Sequence, residues 1–221
     1  MEIDISKHSH FSFDLWLTLI KSNPEFKIKR DLLLKDFFSL DKSFEDVQKK
    51  VRYYDLLLNR ISEKTGLHVE REIAFLIILD ALGKSEDSIA SEDLKLFFHQ
   101  VDQLFLENLP VLLWENIENI LSKIQDAGKT SSILSNTAFI HGDSLIKVLD
   151  KMGLSSYFSF MIFSDVIKVS KPNPKIFDMV YNEINLIKLI KKENVLHIGD
   201  NSIADFNGAK SFGFDAQLVK F

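Results

Sequence analysis

Cysteine is absent from the 221-residue chain, which excludes a disulfide framework and any thiolate metal site. Proline and glycine are scarce, at 4 and 8 residues, and neither an internal repeat nor a low-complexity tract is present. An excess of positive charge is missing too. The 27 basic residues are outnumbered by 32 acidic ones, and the formal net charge of -5 gives no support to nucleic-acid binding. No run of apolar residues reaches the length needed to span a membrane. The longest, Ile73 to Leu79, is flanked by charge and suits a buried helix. The opening stretch, Met1 to His10, is polar and lacks the apolar region of a signal peptide, so the expectation is a soluble, cytoplasmic protein. What remains is an ordinary globular balance, 46% apolar and 27% charged, with length for a full core and a second small domain.

Two textures divide the chain. His10 to Asp14 reads as a short strand ending at the aspartate. From about Asn23 to Asn108 glycine nearly vanishes, and Leu32-Leu33-Leu34, Phe37-Phe38, Leu56-Leu57-Leu58 and Phe97-Phe98 recur among charged residues at helical spacing. Ser43 followed by Asp46, and Ser91 followed by Leu94, resemble helix starts; Gly66 and Gly83 read as stops. This segment is expected to hold roughly four helices. Its aromatic residues (Phe37, Phe38, Tyr53, Tyr54, Phe97, Phe98) fit its own core better than a substrate pocket. After Pro110 the rhythm becomes helix and strand in alternation. Helices are expected over 111–127, 143–152, 174–190 and 203–212, and strands over 130–135, 158–163, 195–198 and 216–219. Such alternation implies a parallel sheet with helical crossovers. The expected architecture is an α/β, doubly wound core (1–20 and 109–221) interrupted after its first strand by an all-helical domain (21–108).

Residues able to carry chemistry stand at the ends of these strands or just after them, where the carboxyl ends of a parallel sheet form a crevice. Asp14 is a candidate nucleophile, since a carboxylate can attack phosphorus or carbon. Thr18 could bond a phosphate or orient that aspartate. Ser135 and Asn136 follow an apolar strand and could hold substrate oxygens. Lys171, braced by Pro172 and Pro174, could offset crowded negative charge. Asp200 and Asp205, beside Asp14, would make a hard oxygen site for Mg²⁺. Each of these alone reads as a turn, a cap or a surface residue; four segments in agreement are a stronger signal.

The pattern resembles the haloacid dehalogenase superfamily, most of whose members are phosphohydrolases. Phe13-Asp14-Leu15-Trp16-Leu17-Thr18-Leu19 looks like its first motif and Ile133-Leu134-Ser135-Asn136 its second. Ser170-Lys171-Pro172-Asn173-Pro174 looks like the third, and His197-Ile198-Gly199-Asp200 through Asp205 to Gly213 the fourth. The helical segment lies where that family places its cap. The resemblance implies that Asp14 takes the phosphoryl group of a small phosphorylated metabolite. It implies that the Trp16 backbone carbonyl and Asp200 hold Mg²⁺, with Asp205 as a further ligand or its support. Lys171 would pair with Asp14 and the phosphate, and Thr18, Ser135 and Asn136 would contact the phosphate or order the nucleophile's loop.

One position departs from the family. Its phosphatases usually carry a second aspartate two residues after the nucleophile, to protonate the leaving group and activate water. Here that residue is Trp16. Losing a general acid–base group removes ~10²–10⁴-fold of rate. Three readings follow: a slow phosphatase, a phosphate-binding protein without turnover, and a dehalogenase. Dehalogenases of the family place an aromatic residue at that position, and halide leaves without a proton. They also carry serine where this chain has Asp200, and need no metal. His8, His10, His141 and His197 all lie in or near core segments, and His141 follows the second motif in a loop that could approach the site; a solvated loop residue is the plainer reading. His197 is expected to pack against a helix.

Overall fold

The computed structural model describes residues 1–220. Strand β1 (His10–Phe13) is buried at every position, as a parallel strand covered on both faces must be. A two-residue strand, β2 (Ile20–Lys21), follows. Four helices come next: α1 (Pro24–Phe37), α2 (Phe44–Thr65), α3 (Arg71–Ala81) and α4 (Ser91–Glu107). The chain then alternates through β3 (Val111–Leu112), α5 (Ile117–Asp126), β4 (Thr130–Ser135), α6 (Gly142–Lys151), β5 (Phe160–Phe163), α7 (Ser164–Ile167), α8 (Pro174–Ile187), β6 (Val195–Gly199), α9 (Gly208–Phe212) and β7 (Asp215–Leu218). The main sheet is wholly parallel in the order β5-β4-β1-β6-β7. The expected doubly wound α/β core is therefore present. Its strand order reverses at β1, flanked by β4 and β6, which is where an open sheet forms its crevice.

Register makes that crevice a site. Phe13 lies opposite Ile133 of β4 and Ile198 of β6, so the chain leaves the sheet at Asp14, Ser135 and Gly199 on nearly one level. A small antiparallel ribbon, β2 with β3, closes the neck where the helical insert departs and returns.

Several local expectations are corrected. The helix expected from Val111 begins only at Ile117, because Val111 and Leu112 pair with Lys21 and Ile20 instead. The helix expected over 203–212 is split into a π turn, Ser202–Asn207, and α9, since the amides of Asp205 and Phe206 both reach the Asn201 carbonyl. Helix α8 ends at Ile187, after which Lys188 is extended. Ser43 does cap α2, accepting from the Asp46 amide at 3.1 Å. Ser91, in contrast, lies inside α4, whose cap is Ala90 with no side chain to offer. Tyr53 is 59% exposed, whereas Phe38, Phe97 and Phe98 are buried as expected.

Apolar packing does not stop at the border of the insert. Phe11, Phe13 and Ile133 of the sheet belong to the same continuous cluster as Phe26, Phe75, Phe97 and Phe105 of the insert helices. A second cluster, centred on Phe177, Val180 and Phe214, lies under α8 and α9. Polar contacts add to the docking. Gly66, just past α2, accepts from the Ser170 amide at 3.0 Å, Leu67 bridges Val169, and Glu63 accepts from the Asn201 side chain at 2.6 Å.

Gly66 has a reason to be glycine. Its φ is +68°, and a Cβ there would meet Asn173 Cβ at 2.8 Å. Gly66→Ala is expected to cost about 1–2 kcal/mol, from left-handed strain plus the displaced contact. Urea unfolding measures this; an unchanged midpoint would show that the insert–core seam is slack.

Candidate active site

The loop after β1 is a tight, internally bonded turn. Ile20 and Leu19 donate their amides to the Leu15 carbonyl, and the Leu17 amide donates to Ile20. Leu17 pays for this turn with a φ of +59°, a left-handed conformation uncommon for leucine. The result returns Thr18 to Asp14, its hydroxyl donating to Asp14 Oδ2 at 2.8 Å. The bridge between Trp16 and Ile20 is made by the Leu15 carbonyl and the Leu17 amide, so the peptide groups of Trp16 itself stay outside it. The indole of Trp114 donates to the Thr18 carbonyl at 2.7 Å and pins the end of the loop.

Lys171 enters from the other side. Its side chain is 1% exposed, and its ammonium donates to Asp14 Oδ1 at 2.8 Å, Asp205 Oδ1 at 2.6 Å and the Leu134 carbonyl at 2.7 Å. Those three acceptors use its three protons. Asn136 does not reach toward a substrate. Its side chain accepts from the Lys171 amide at 2.7 Å and donates to the Lys171 carbonyl at 3.0 Å, so it sets the backbone that carries the lysine. Ser135 is buried at the end of β4, with its hydroxyl 3.3 Å from the Asn136 carbonyl.

Asp205 is nearly saturated. Besides Lys171, it takes a contact from His197 Nε2 at 3.2 Å and the Asn201 amide at 2.9 Å. His197 is in turn held through Nδ1 by Ser12 at 3.0 Å, across the β1–β6 register, while Phe177 of α8 packs edge-on against its ring. Its expected packing against a helix is thus observed. Its bond to Asp205 was missed, because only the fold of the π turn back over the end of β6 reveals it. Gly199 belongs to the fourth motif, but its steric reason was not legible there: a Cβ would lie 2.2 Å from Asp205 Cγ, so only glycine lets that carboxylate in.

Electrostatics follow from burial and neighbours. Burial pushes the Asp14 carboxyl up to about 6; Lys171 pulls it down and Asp205 adds to the rise. Burial also raises Asp200, helped by the Asp205 charge. Asp205 goes the other way: burial opposes its charge, but Lys171 and His197 together hold it well below the ordinary carboxylate range. For Lys171, burial is outweighed by the two carboxylates, which hold its ammonium protonated above the usual lysine value. One oxygen each from Asp14, Asp200 and Asp205 lies within 4.8 Å of the others. Three carboxylates thus face one ammonium, a hard, oxygen-rich and over-negative cluster suited to a divalent cation of the Mg²⁺ type.

These elements can be compared with known proteins. The family profile described as haloacid dehalogenase-like hydrolase matches residues 32–219. The chain belongs to that family. The matched span begins after Asp14, which therefore lies outside it. Among curated relatives, Rhythmically expressed gene 2 protein of Drosophila melanogaster is 36% identical over 72 residues, 33% of this chain and 27% of its own length. A (S)-2-haloacid dehalogenase 2 of Pseudomonas sp. is 25% identical over 113 residues, 51% of this chain and 46% of the enzyme. The chain therefore spans less than half the length of both. Glyceraldehyde 3-phosphate phosphatase of Pyrococcus furiosus is 25% identical over 201 residues, 84% of this chain and 80% of the relative. The magnesium-bound structure of YfnB from Bacillus subtilis, described as a HAD-hydrolase, shares the fold. Its TM-score is 0.73 at 19% identity, covering 97% of this chain and 89% of that one.

Trp16, at the position of the family's second aspartate, is half-buried and packs on Phe105 of α4 with ring centroids 6.0 Å apart. His141 sits just before α6, and the charges that act on it are Arg71, Asp165, Glu72 and Asp102, none of them in this cluster. It is half-buried rather than a solvated loop residue.

A raised carboxyl pKa has a sign for stability. The folded protein holds the Asp14 proton more tightly than the unfolded chain, so stability falls as pH rises from about 4 to about 6 and is then level. Asp14→Asn removes that loss. In the presence of a chelator its melting temperature is expected to exceed wild type by several degrees at pH 7.5, with the gain fading toward pH 4. A variant less stable than wild type at pH 7.5 would overturn this electrostatic account.

Proposed function

We propose that the protein is a Mg²⁺-dependent hydrolase of a small phosphate monoester, working through a phosphoryl group carried on Asp14. The observation that supports this best is the charge imbalance of Asp14, Asp200 and Asp205 around the single ammonium of Lys171. Asp14, Asp200 and the Trp16 carbonyl would hold the cation, and Asp205, its oxygens already engaged, would serve Lys171 instead. When bound, the cation offsets the charge of the phosphate oxygens.

The chain's own residues account for the rest. Thr18 and Lys171 each bond one oxygen of Asp14, which fixes the carboxylate's direction before a substrate arrives. An Asp14 oxygen attacks phosphorus, the ester oxygen leaves with its electron pair, and Lys171 stays beside the charge that develops. Water then attacks the phosphoryl group, and inorganic phosphate departs from the regenerated carboxylate. The leaving oxygen has no side-chain proton donor at position 16, so it must leave as an anion or be protonated by solvent. This favours acidic leaving groups.

Dehalogenation is a second reading, favoured by one observation, the aromatic residue at position 16. One assay separates the two. Wild type is expected to release phosphate from an activated aryl phosphate only with Mg²⁺, and Asp14→Asn to release none. Halide release from a 2-chloro acid in a chelator would reverse the assignment. Neither product, with tight retention of a phosphate mimic, would mark a binding protein.

The leaving-group argument has its own test. Trp16→Asp is expected to raise turnover of an alkyl phosphate by about 10–100-fold, and to change turnover of the activated aryl ester little. Equal effects on both esters would show that Trp16 does not stand in place of a proton donor.

A further inference from the structure

A second group of ligand-type side chains gathers where the insert meets the core, sharing no residue with the Asp14 cluster. Glu70 stands at the cap position of α3, Glu72 in its first turn, and His141 immediately before α6. One ligand atom of each lies within 4.8 Å of the other two. Nε2 of His141 is buried without a hydrogen-bond partner. A second imidazole is aimed at the same place. His68, its side chain 1% exposed, pairs through Nδ1 with Ser164 at 3.1 Å, which leaves a buried and unpartnered Nε2 3.7 Å from Glu70 Oε2. Orphaned buried ring nitrogens are rare, since each forfeits its bond to water. Two beside a pair of carboxylates point to an absent electron-pair acceptor.

We propose that Glu70, Glu72 and His141, with His68 adjoining them, form a second cation site that takes a divalent transition-metal ion of the zinc type. The donor chemistry selects the class: imidazole nitrogen mixed with carboxylate oxygen suits Zn²⁺, whereas Mg²⁺ prefers oxygen alone. Ligand atoms around a four-coordinate zinc lie roughly 3.4 Å apart, so the cluster must contract by about an ångström, within the range of glutamate rotamers. Two cations already compete. Lys168 Nζ lies 2.8 Å from Glu70 Oε1, and Arg71 Nε lies 3.6 Å from Glu72 Oε1. Zinc must displace Lys168 or share its carboxylate, which weakens the site. Two ligands come from the insert and one from the loop after β4, so the ion would fasten insert to core.

Zn²⁺ binding to the full chain tests this, followed by calorimetry in saturating Mg²⁺ so that the Asp14 cluster is occupied. Wild type is expected to bind one Zn²⁺ per chain. His141→Ala and Glu72→Gln should each weaken it about tenfold or more, and Lys168→Ala should tighten it. Zn²⁺ should also slow hydrogen exchange over residues 66–72 in wild type and not in His141→Ala. Glu72 is 45% exposed, so its variant folds and keeps the test decisive if His141→Ala does not. No Zn²⁺ uptake in the presence of Mg²⁺, or uptake indifferent to Glu72→Gln, overturns the site.

Discussion

An ammonium buried beyond the reach of water has to find all of its compensation within the protein. Lys171 finds it in the Leu134 carbonyl of β4, in Asp14 just after β1, and in Asp205 of the π turn that follows β6. No one of these segments can shift without leaving the lysine short of an acceptor. The lysine thus measures the relative position of β1, β4 and β6. Asn136 extends that control to the lysine's own backbone, gripping both its amide and its carbonyl. His197 and the Asn201 amide do the same for Asp205. What reads as a catalytic constellation is also the fastening that keeps the carboxyl ends of the sheet level.

The chemistry this fastening allows follows from its unequal charges. Asp205 is bonded on both oxygens and held ionised, so it works as a fixed counterion. Asp14, also buried but with weaker compensation, sits near the point where its proton can leave at ordinary pH. The same desolvation that makes Asp14 costly to ionise leaves it poorly solvated and reactive once ionised. Two aspartates of one sequence type are thereby given different tasks by their surroundings alone.

Much of this was legible in the sequence, and the reason is geometric. Parallel strands bring their carboxyl ends together, so Asp14, Ser135, Lys171, Asp200 and Asp205 could be gathered from strand boundaries without any knowledge of contacts. What escaped depends on register or on distance in sequence. The bond between Ser12 and His197 needs the alignment of β1 with β6. The ribbon of β2 with β3 has two residues per strand, too few to show alternation. Asn136 was expected to contact the phosphate or to order the nucleophile's loop; that its side chain brackets the Lys171 backbone is not visible in the sequence, because an amide after a strand looks the same whichever group it faces. The π turn at Ser202–Asn207 arises from the Asn201 carbonyl accepting two amides, which no periodicity announces.

The helical insert bears on the site through the backbone next to the lysine. Its Gly66 carbonyl holds the Ser170 amide, one residue before Lys171, and its Glu63 holds Asn201, whose amide holds Asp205. Trp16 meets Phe105 of α4, so the residue standing where a proton donor is usual is itself part of the insert seam. An insert attached at these points cannot swing away as a rigid lid while the charge cluster stays undisturbed. Any opening wide enough to admit a substrate must either break the Gly66 and Glu63 contacts or carry the Lys171 loop with it. Access to the crevice and the geometry of Asp14 are therefore mechanically linked, and the aromatic contact of Trp16 is where that linkage passes closest to Asp14 along the chain.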